Sequence, residues 1–423
     1  MDINRFATHS LNDPHILRIL SAALEAVDPA EAVRTHLPAL NGHVYGLGIG
    51  KASIPMLTAL EEAYPLSGAL AISKHASDSS RNLFPVLLGG HPIPDSRSVD
   101  AGERVLEFVS ALREDDTLIC LISGGGSALV TAPHEGITLE DLQALTSLLL
   151  ACGARIDELN TLRRRLDRVK GGGLLRATKA KVISLILSDV IGNPLEAIAS
   201  GPTFPDPTSR EDAINILKKY RIEKHVPNSI LNFLESNSLL LDIKKLAPRL
   251  QSQNLIIGDN KLAAQAAVKQ AQHEGFFAEI LTNELQGEAR DAGVMLAKRL
   301  RDEISKRQRP FCLIAGGETT VTIRGKGKGG RNQELALGAV NELRGLENVM
   351  LVALATDGDD GPTDAAGAVV TGESAQRAEQ LRVDATESLS RNDAYVFFEA
   401  LGDLLKTGPT GTNVNDLNFL FAI

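Results

Sequence analysis

Residues 316–334 combine the residue types that bind anions. Their glycines let the backbone approach a ligand closely, and bare glycine N–H groups form concave anion sites. The stretch also holds Arg324, Lys326, Lys328 and Arg331, whose side chains suit phosphate or carboxylate oxygens. A flexible hairpin loop with solvated lysines is the alternative. Further glycine-rich polar clusters elsewhere in the chain favour the anion site, with Arg331 as its main side chain.

Two glycine turns in the N-terminal half have a similar composition. Lys51 follows an apolar run that ends in two glycines, and a lysine where such a turn opens a helix suits phosphate. An exposed helix lysine is the alternative. Residues 123–127 read Ser-Gly-Gly-Gly-Ser and lack the Gly-x-Ser-x-Gly of a nucleophile elbow, which favours phosphate or oxyanion binding over a serine nucleophile. A tight strand-helix turn is the alternative. The predicted contacts are Gly48, Gly50, Ser123, Gly124, Gly125, Gly126 and Ser127.

Lys170 and His91 are two more candidates for substrate contact. Lys170 precedes three glycines, which favours an anion contact, whereas the arginines before it are expected partly in solvent. His91 lies in Gly-His-Pro-Ile-Pro, where the prolines stiffen the loop. Its imidazole suits either a hydrogen bond to a substrate carboxylate or a bracing role in the loop, and both interpretations stay open.

Acidic side chains follow two apolar runs. Asp189 comes after residues 181–187, where a carboxylate is suited to bind Mg²⁺ or to accept a proton. Residues 357–364 hold four aspartates but lack the ligand spacing of an EF-hand loop. We therefore predict that Asp357 and Asp360 help to bind Mg²⁺ together with a substrate phosphate. An acidic surface turn is the alternative, and it is weaker for Asp357 than for its neighbour Asp359.

Short apolar strands alternate with helical stretches along most of the chain. This alternation is typical of an α/β fold with a doubly wound parallel sheet, in which ligands gather at the carboxyl ends of strands. The polar clusters described above follow such strands. A helical, charged stretch at 205–250 interrupts the pattern, and the strand beginning at Leu255 is interpreted as the start of a second series. The predicted domains are residues 1–245 and 250–423.

Composition narrows the class of protein. The chain has 423 residues, 43% of them hydrophobic and 23% charged, which suits a globular protein of two or three domains. A net charge of −9 disfavours nucleic acid as a partner. Three cysteines give neither a disulfide framework nor a zinc spacing, and no apolar run has membrane-spanning length. The acidic and polar residues at the start predict that there is no signal peptide. We therefore expect a cytoplasmic protein without a membrane partner, and we leave a homodimer open.

Taken in order, the motifs of the chain resemble those of the glycerate 2-kinase family, whose C-terminal part is called the MOFRL domain. The matches run from about residue 40 onwards, and as a set they are specific, although each is weak alone. They are Gly48-Ile-Gly-Lys51-Ala, Gly90-His-Pro-Ile-Pro-Asp95, Ser123-Gly-Gly-Gly-Ser-Ala-Leu129, Lys170-Gly-Gly, Leu187-Ser-Asp-Val190, Ala199-Ser-Gly-Pro-Thr203, Gly316-Gly-Glu-Thr-Thr320, Gly329-Gly-Arg-Asn-Gln-Glu334, Ala355-Thr-Asp-Gly358, Asp364-Ala-Ala-Gly-Ala368 and Thr407-Gly-Pro-Thr-Gly-Thr-Asn413.

The resemblance implies an enzyme that uses ATP and Mg²⁺ to phosphorylate D-glycerate at its 2-hydroxyl. It implies a Rossmann-like N-terminal domain, a mixed α/β C-terminal domain of MOFRL type, and an active site in the cleft between them. It assigns catalytic roles to Lys51 and Arg331, and Asp189 is expected to act as proton acceptor or metal ligand. Gly317, Glu318 and Thr319 complete the predicted substrate and phosphate contacts.

Two departures from the family pattern concern substrate preference and one metal ligand. Arg165 and Asp167 stand where the family commonly has a His and a Ser, and Asn193 stands where it commonly has an Asp.

A hydroxypyruvate reductase using NAD(P)H is the main rival, but the dinucleotide fingerprint is incomplete after Lys51. A non-catalytic sugar-acid or nucleotide sensor is the second rival, and the acidic clusters suited to Mg²⁺ disfavour it.

Overall fold

Two six-stranded sheets organise the fold in this computed structural model, which describes residues 1–76, 84–236 and 252–423. The described chain divides into two units. The first unit is Pro29–Ile257, and the second unit joins Met1–Asp28 to Gly258–Ile423. Each unit has its own hydrophobic core.

The sheet of the first unit has the strand order β3-β2-β1-β4-β5-β6. Strands β1, β2, β3, β4 and β5 pair in parallel, as the doubly wound prediction requires. Strand β4 is buried along its whole length and is apolar after Thr117, as expected where helices cover both faces of a parallel sheet. The strands are Val44–Ile49 (β1), Gly68–Ser73 (β2), Val86–Leu88 (β3), Thr117–Ile122 (β4), Lys181–Leu187 (β5) and Ser252–Gly258 (β6).

Two helices of the first unit, Ser96–Ser110 and Leu139–Ala151, begin at capping side chains. Asp95 accepts a hydrogen bond from the Ser98 N–H, and Thr138 accepts one from the Asp141 N–H, so both helix starts form capping boxes. The α-helices are Pro29–His36, Ser53–Ala63, Ser96–Ser110, Gly126–Leu129, Leu139–Ala151, Ile156–Leu166, Gly173–Ala177, Arg210–Tyr220 and Asn228–Glu235, with 3₁₀ turns at Ile198–Ser200 and Glu223–His225.

The second unit has a mixed sheet of order β11-β10-β9-β12-β8-β7. Strand β12 lies between β8 and β9 and runs antiparallel to both, whereas β7 and β8 are parallel. The strands are Phe277–Leu285 (β7), Phe311–Gly317 (β8), Val349–Ala355 (β9), Gly367–Thr371 (β10), Leu404–Leu405 (β11) and Asp416–Ala422 (β12). The helical segments are Ile3–Phe6 (3₁₀), Pro14–Glu25, Asn260–His273, Ala289–Ile304, Arg331–Leu343, Ser374–Gln380, Ala385–Arg391 and Ala394–Leu401.

This division differs from the predicted domain limits. The N-terminal helix Pro14–Glu25 packs against the helix Asn260–His273, and Arg18 Nε donates to Glu274 Oε1 at 2.6 Å, so the first 28 residues belong with the second unit. The strand at Leu255 was predicted to open the second domain but is the edge strand β6 of the first sheet. The predicted limits at 245 and 250 lie outside the described residues. The predicted cleft between the domains stays a prediction.

The helices of the described residues were compared with the length and hydropathy that a membrane span requires. None of them is both long enough and apolar enough to span a bilayer.

Candidate functional site

Two of the predicted glycine turns meet at the carboxyl ends of β1 and β4. The Lys51 N–H donates to the Gly124 carbonyl at 2.9 Å, and the Ala52 N–H donates to Ser123 Oγ at 3.0 Å. Gly50 has a φ of +126°, and a Cβ at this position would collide with Ser123. Only glycine tolerates this combination of backbone and contact, so the two turns are built against each other.

The loop Ser123–Ser127 is bordered by three of the predicted side chains. A Cβ on Gly124 would collide with the carboxylate of Asp189. A Cβ on Gly125 would lie 3.2 Å from His91 Cδ2 and 3.4 Å from Lys51 Cγ. The structure therefore brings Lys51, His91 and Asp189 together around one glycine loop. This loop follows β4, and the strand order of the sheet reverses between β1 and β4. Ligands of open α/β sheets usually bind at such a switch point.

His91 is half-buried in this cluster. Burial, together with the charges of Lys51 and Lys74, lowers the pKa of its imidazole from 6.5 to about 4. The ring is therefore neutral at neutral pH, with one nitrogen able to donate and the other able to accept a hydrogen bond.

We expect His91 to titrate well below an ordinary histidine. Because its folded-state pKa lies below the unfolded value, the unfolded chain binds the proton more readily between pH 6.5 and about 4. The stability contributed by neutral His91 is thus complete above pH 6.5 and is lost as the pH falls towards 4. NMR titration of the imidazole should give a midpoint near 4, and His91→Gln should flatten the acid side of the Tm-versus-pH curve. A midpoint near 6.5 would contradict this assignment.

The remaining glycine-loop candidates have structural partners. A Cβ on Gly48 would lie 2.9 Å from the Ser53 carbonyl, so this glycine allows close packing of the helix after β1. Gly126 begins the short helix Gly126–Leu129, and Ser127 Oγ lies 2.7 Å from Ser200 Oγ. Their predicted roles in binding stay predictions.

Lys170 differs from its prediction as an anion contact. Its side chain is buried, and its ammonium group donates to the Val130 carbonyl at 3.0 Å, to Thr131 Oγ1 at 3.1 Å and to the Asp167 carboxylate. These acceptors use all three of its N–H bonds. Burial lowers the pKa of Lys170, and the charge of Asp167 opposes that shift. Lys170 is therefore paired with Asp167 in the fold, and its predicted contact with a substrate anion stays a prediction.

Arg331 begins the helix Arg331–Leu343 in the second unit. Its guanidinium donates to the Glu318 carboxylate and to Asp416 Oδ1, the latter at 3.3 Å. Burial opposes its charge, but Asp416, Glu318 and Asp360 outweigh burial and raise its pKa. The side chain is 37% exposed, so a permanently charged and oriented cation is presented at this surface.

Asp416 is a member of this cluster that the sequence analysis missed. It begins β12 and is buried, and burial raises its pKa to about 7 although Arg331 opposes the shift. Within the described residues its Oδ2 has no hydrogen-bond donor. Asn260 lies behind it and donates from Nδ2 to the Asp416 carbonyl at 2.9 Å. The available signal was a charged residue at the start of a mainly apolar strand.

Asp360 does not fit the predicted metal ligand. It is buried, and its carboxylate accepts the N–H groups of Asn332 at 3.1 Å and Gln333 at 2.9 Å. It therefore satisfies the N-terminus of the helix that begins at Arg331, which needs such acceptors. Asp357 is half-buried and accepts the Asp359 N–H at 3.2 Å. Over residues 1–76, 84–236 and 252–423, no group of three or more His, Cys, Asp or Glu is placed to hold a metal ion.

The segment 316–334 is more ordered by contacts than a flexible loop would be. The N–H groups of Arg324 and Gly325 donate to Asn392 Oδ1 at 2.6 and 2.9 Å, and Lys328 Nζ lies 3.7 Å from the centroid of the Tyr395 ring. At the start of the segment, Gly317 lets β8 approach Leu285 of β7 closely, Glu318 pairs with Arg331, and Thr319 is buried.

Comparisons with known proteins cover both units. Residues 15–235 match a family model described as a domain of unknown function (DUF4147), and residues 311–416 match the MOFRL family. A glycerate 2-kinase from Pyrococcus horikoshii is 41% identical over 422 residues, which cover 95% of each chain. A putative hydroxypyruvate reductase from Agrobacterium vitis is 38% identical over 410 residues, which cover 95% of this chain and 92% of that one.

A solved structure is also similar. It is a glycerate kinase (EC 2.7.1.31) from Thermotoga maritima, with 41% sequence identity and a TM-score of 0.88. The match covers 97% of this chain and 99% of the other. A likeness at this level extends through both units.

Proposed function

This chain belongs to the glycerate kinase family, and we propose that it transfers the γ-phosphoryl group of ATP to the 2-hydroxyl of D-glycerate. The products are 2-phosphoglycerate and ADP. The observation that carries the proposal is the cluster of Lys51, His91 and Asp189 around the loop Ser123–Ser127. Phosphoryl transfer asks a protein mainly for positioning and for neutralisation of negative charge, and these groups provide both.

Lys51 and the glycine loop bind phosphate oxygens in this proposal. The lysine supplies a full positive charge, and the loop supplies N–H donors that are fixed before the substrate arrives. Both stabilise the charge that spreads over the equatorial oxygens as the phosphoryl group moves.

Asp189 takes the proton of the attacking hydroxyl. As the 2-hydroxyl oxygen forms its bond to phosphorus, the bond between phosphorus and the ADP oxygen breaks, and the O–H proton passes to the carboxylate. Neutral His91 donates a hydrogen bond to the carboxylate of glycerate and so helps to orient it. In the second unit, Arg331 supplies a charged, bidentate donor for phosphate oxygens.

Mg²⁺ is part of the proposal, and the fit of its predicted ligands is partial. Asp360 is committed to helix N–H groups, which leaves Asp357 as the predicted ligand in this segment. One carboxylate suffices in principle, because Mg²⁺ usually keeps several waters and binds substrate phosphates directly. When bound, the ion would neutralise phosphate charge. Cytoplasmic location, the absence of nucleic-acid partners and a homodimer stay predictions.

One product assay tests the proposed function. Protein, ATP, Mg²⁺ and D-glycerate are mixed, and the product is identified by NMR or mass spectrometry against both phosphoglycerates, with L-glycerate as the matched control. We expect 2-phosphoglycerate and an equal amount of ADP. Formation of 3-phosphoglycerate would contradict the regiochemistry, and absence of ADP would overturn the kinase assignment. NADH oxidation with hydroxypyruvate would favour the reductase instead.

A further inference from the structure

A cavity of about 430 Å³ lies next to the glycine loop of the first unit. Ser127 of the loop lines it, and so does Pro92, the residue after His91. Its other walls come mainly from the helices Leu139–Ala151 and Ile156–Leu166. The volume falls within the roughly 300–1,000 Å³ typical of pockets for small organic ligands.

Most of the cavity wall is apolar. Leucines dominate it, since both helices turn their apolar faces towards it: the wall includes Leu142, Leu145, Leu149, Leu159, Leu162 and Leu166. A small, charged and hydroxylated acid such as glycerate would leave its polar groups unpaired against such a wall. A flat apolar group of larger size is the better occupant.

The polar side chains of the cavity are concentrated near the glycine loop. Ser127, Thr131 and the buried pair of Asp167 and Lys170 all line it. Ser127 is the last residue of the loop that is predicted to bind phosphates. A ligand in the cavity would therefore reach the phosphate site past Ser127. The arrangement suits a molecule with an apolar ring at one end and phosphates at the other.

Arg163 adds a cation to the same wall. Two neighbouring arginines are committed to an ion pair with Asp206, with Arg164 Nε at 2.8 Å and Arg165 Nε at 3.4 Å. Arg163 by contrast has no acidic partner within the described residues. Burial lowers its pKa, and its charge is close enough to lower that of Lys170. A partly buried guanidinium without an acidic partner in the described chain is suited to stack on an aromatic ring and to donate to ring or ribose acceptors.

We propose that this cavity holds the adenine and ribose of ATP, with Arg163 lying against the base and the phosphates leading past Ser127 to the glycine loop. The inference rests on the proposed function, because a kinase that uses ATP must place the nucleoside somewhere. The cavity meets the chemical requirements of that group in size, in apolar wall and in its position beside the predicted phosphate contacts.

A matched pair of substitutions on one helix tests the proposal. Thr146 lines the cavity, and its hydroxyl bonds only to the Leu142 carbonyl of its own helix, so Thr146→Phe fills the cavity with little other loss. Ala144 lies on the exposed side of the same helix and does not line the cavity, which makes Ala144→Phe the control. Arg163→Met tests the cation. Circular dichroism and Tm establish that each variant is folded.

Steady-state kinetics and calorimetry with ATP and with inorganic tripolyphosphate give the readouts. We expect Thr146→Phe to raise the KM and Kd for ATP by about tenfold or more, equivalent to about 1.4 kcal/mol. The KM for D-glycerate and the Kd for tripolyphosphate should change less than about twofold, and Ala144→Phe should resemble the wild type. Arg163→Met should weaken ATP more than tripolyphosphate.

Three outcomes would overturn the assignment: ATP binding unchanged in Thr146→Phe, equal effects in both phenylalanine variants, or a raised KM for D-glycerate in place of ATP. If the wild type forms no ADP, the proposed function fails separately. Calorimetry with ATP alone then still decides whether the cavity takes the nucleoside.

Discussion

Lys51→Ala is expected to lower kcat for glycerate phosphorylation by about 10²–10³-fold, as loss of one transition-state charge contact does. The Lys51 backbone is fixed against Gly124, and its side chain lies beside the glycine loop at the Gly125 position. The substitution keeps the backbone contact and removes the charge. The loss should therefore appear mainly in kcat, with folding intact by circular dichroism.

Lys74→Ala is the matched control for this result. Lys74 is exposed and, like Lys51, lowers the pKa of His91, but it belongs to neither of the two glycine turns. We expect its kcat to stay within about threefold of the wild type. NMR should show the His91 pKa rising in both variants, because each removes a neighbouring positive charge. Near-normal turnover in folded Lys51→Ala would sink the assignment.

Arg331→Ala is expected to have the second large effect, again about 10²–10³-fold in kcat. The substitution also removes the cation that opposes the raised pKa of buried Asp416. The folded-state pKa of Asp416, about 7, already exceeds its unfolded value of 3.8, so stability is lost as the pH rises between them. Without Arg331 that pKa rises further, and the loss continues to higher pH.

The Tm deficit of Arg331→Ala should therefore grow between about pH 6 and pH 8. The double variant with Asp416→Asn removes the buried charge and should recover much of this Tm without recovering kcat. Lys328→Ala is the control, because it removes another cation of the same segment, one that lies over the Tyr395 ring. This variant should keep normal turnover. Recovery of activity together with Tm in the double variant would show that Arg331 acts only on stability.

Much of the first sheet and its cluster was predictable from sequence, because both depend on local patterns. Apolar runs followed by glycine turns predicted β1 and β4, and the parallel pairing of these strands brings Lys51 to the loop at Ser123. Asp189 follows from the same rule, since it is the second residue after β5. Strand ends in a parallel sheet meet at one edge, so chain order alone places such residues together.

The local sequence does not reveal the contacts of side chains whose partners are distant in the chain. Lys170 was predicted to contact an anion because three glycines follow it. In the structure its ammonium group donates to Val130 and Thr131, which no local sequence pattern reveals. Asp360 was predicted to bind Mg²⁺ because other aspartates lie near it in the sequence. In the structure its carboxylate accepts the N–H groups of Asn332 and Gln333. In both cases a charged group is buried because its hydrogen bonds are satisfied elsewhere in the fold.

The N-terminal helix shows the same limit at a larger scale. Its apolar face is evident from the spacing of Ile16, Leu20 and Leu24, but that spacing does not identify the surface it packs on. The structure supplies the answer in the helix Asn260–His273, more than two hundred residues later in the chain.

The placement of Met1–Asp28 and of β12 sets an order in which the protein can mature on the ribosome. Residues 29–257 form a unit with its own core, which can fold once they have been synthesised. The first 28 residues must wait for Gly258 onwards, and β8 and β9 have no strand to join them until β12 has been made. Asp416, the partner of Arg331, arrives with that strand. The ion pair of Arg331 and Asp416 in the second unit is thus completed late in translation, and a ribosome that stops before β12 releases a chain that lacks it.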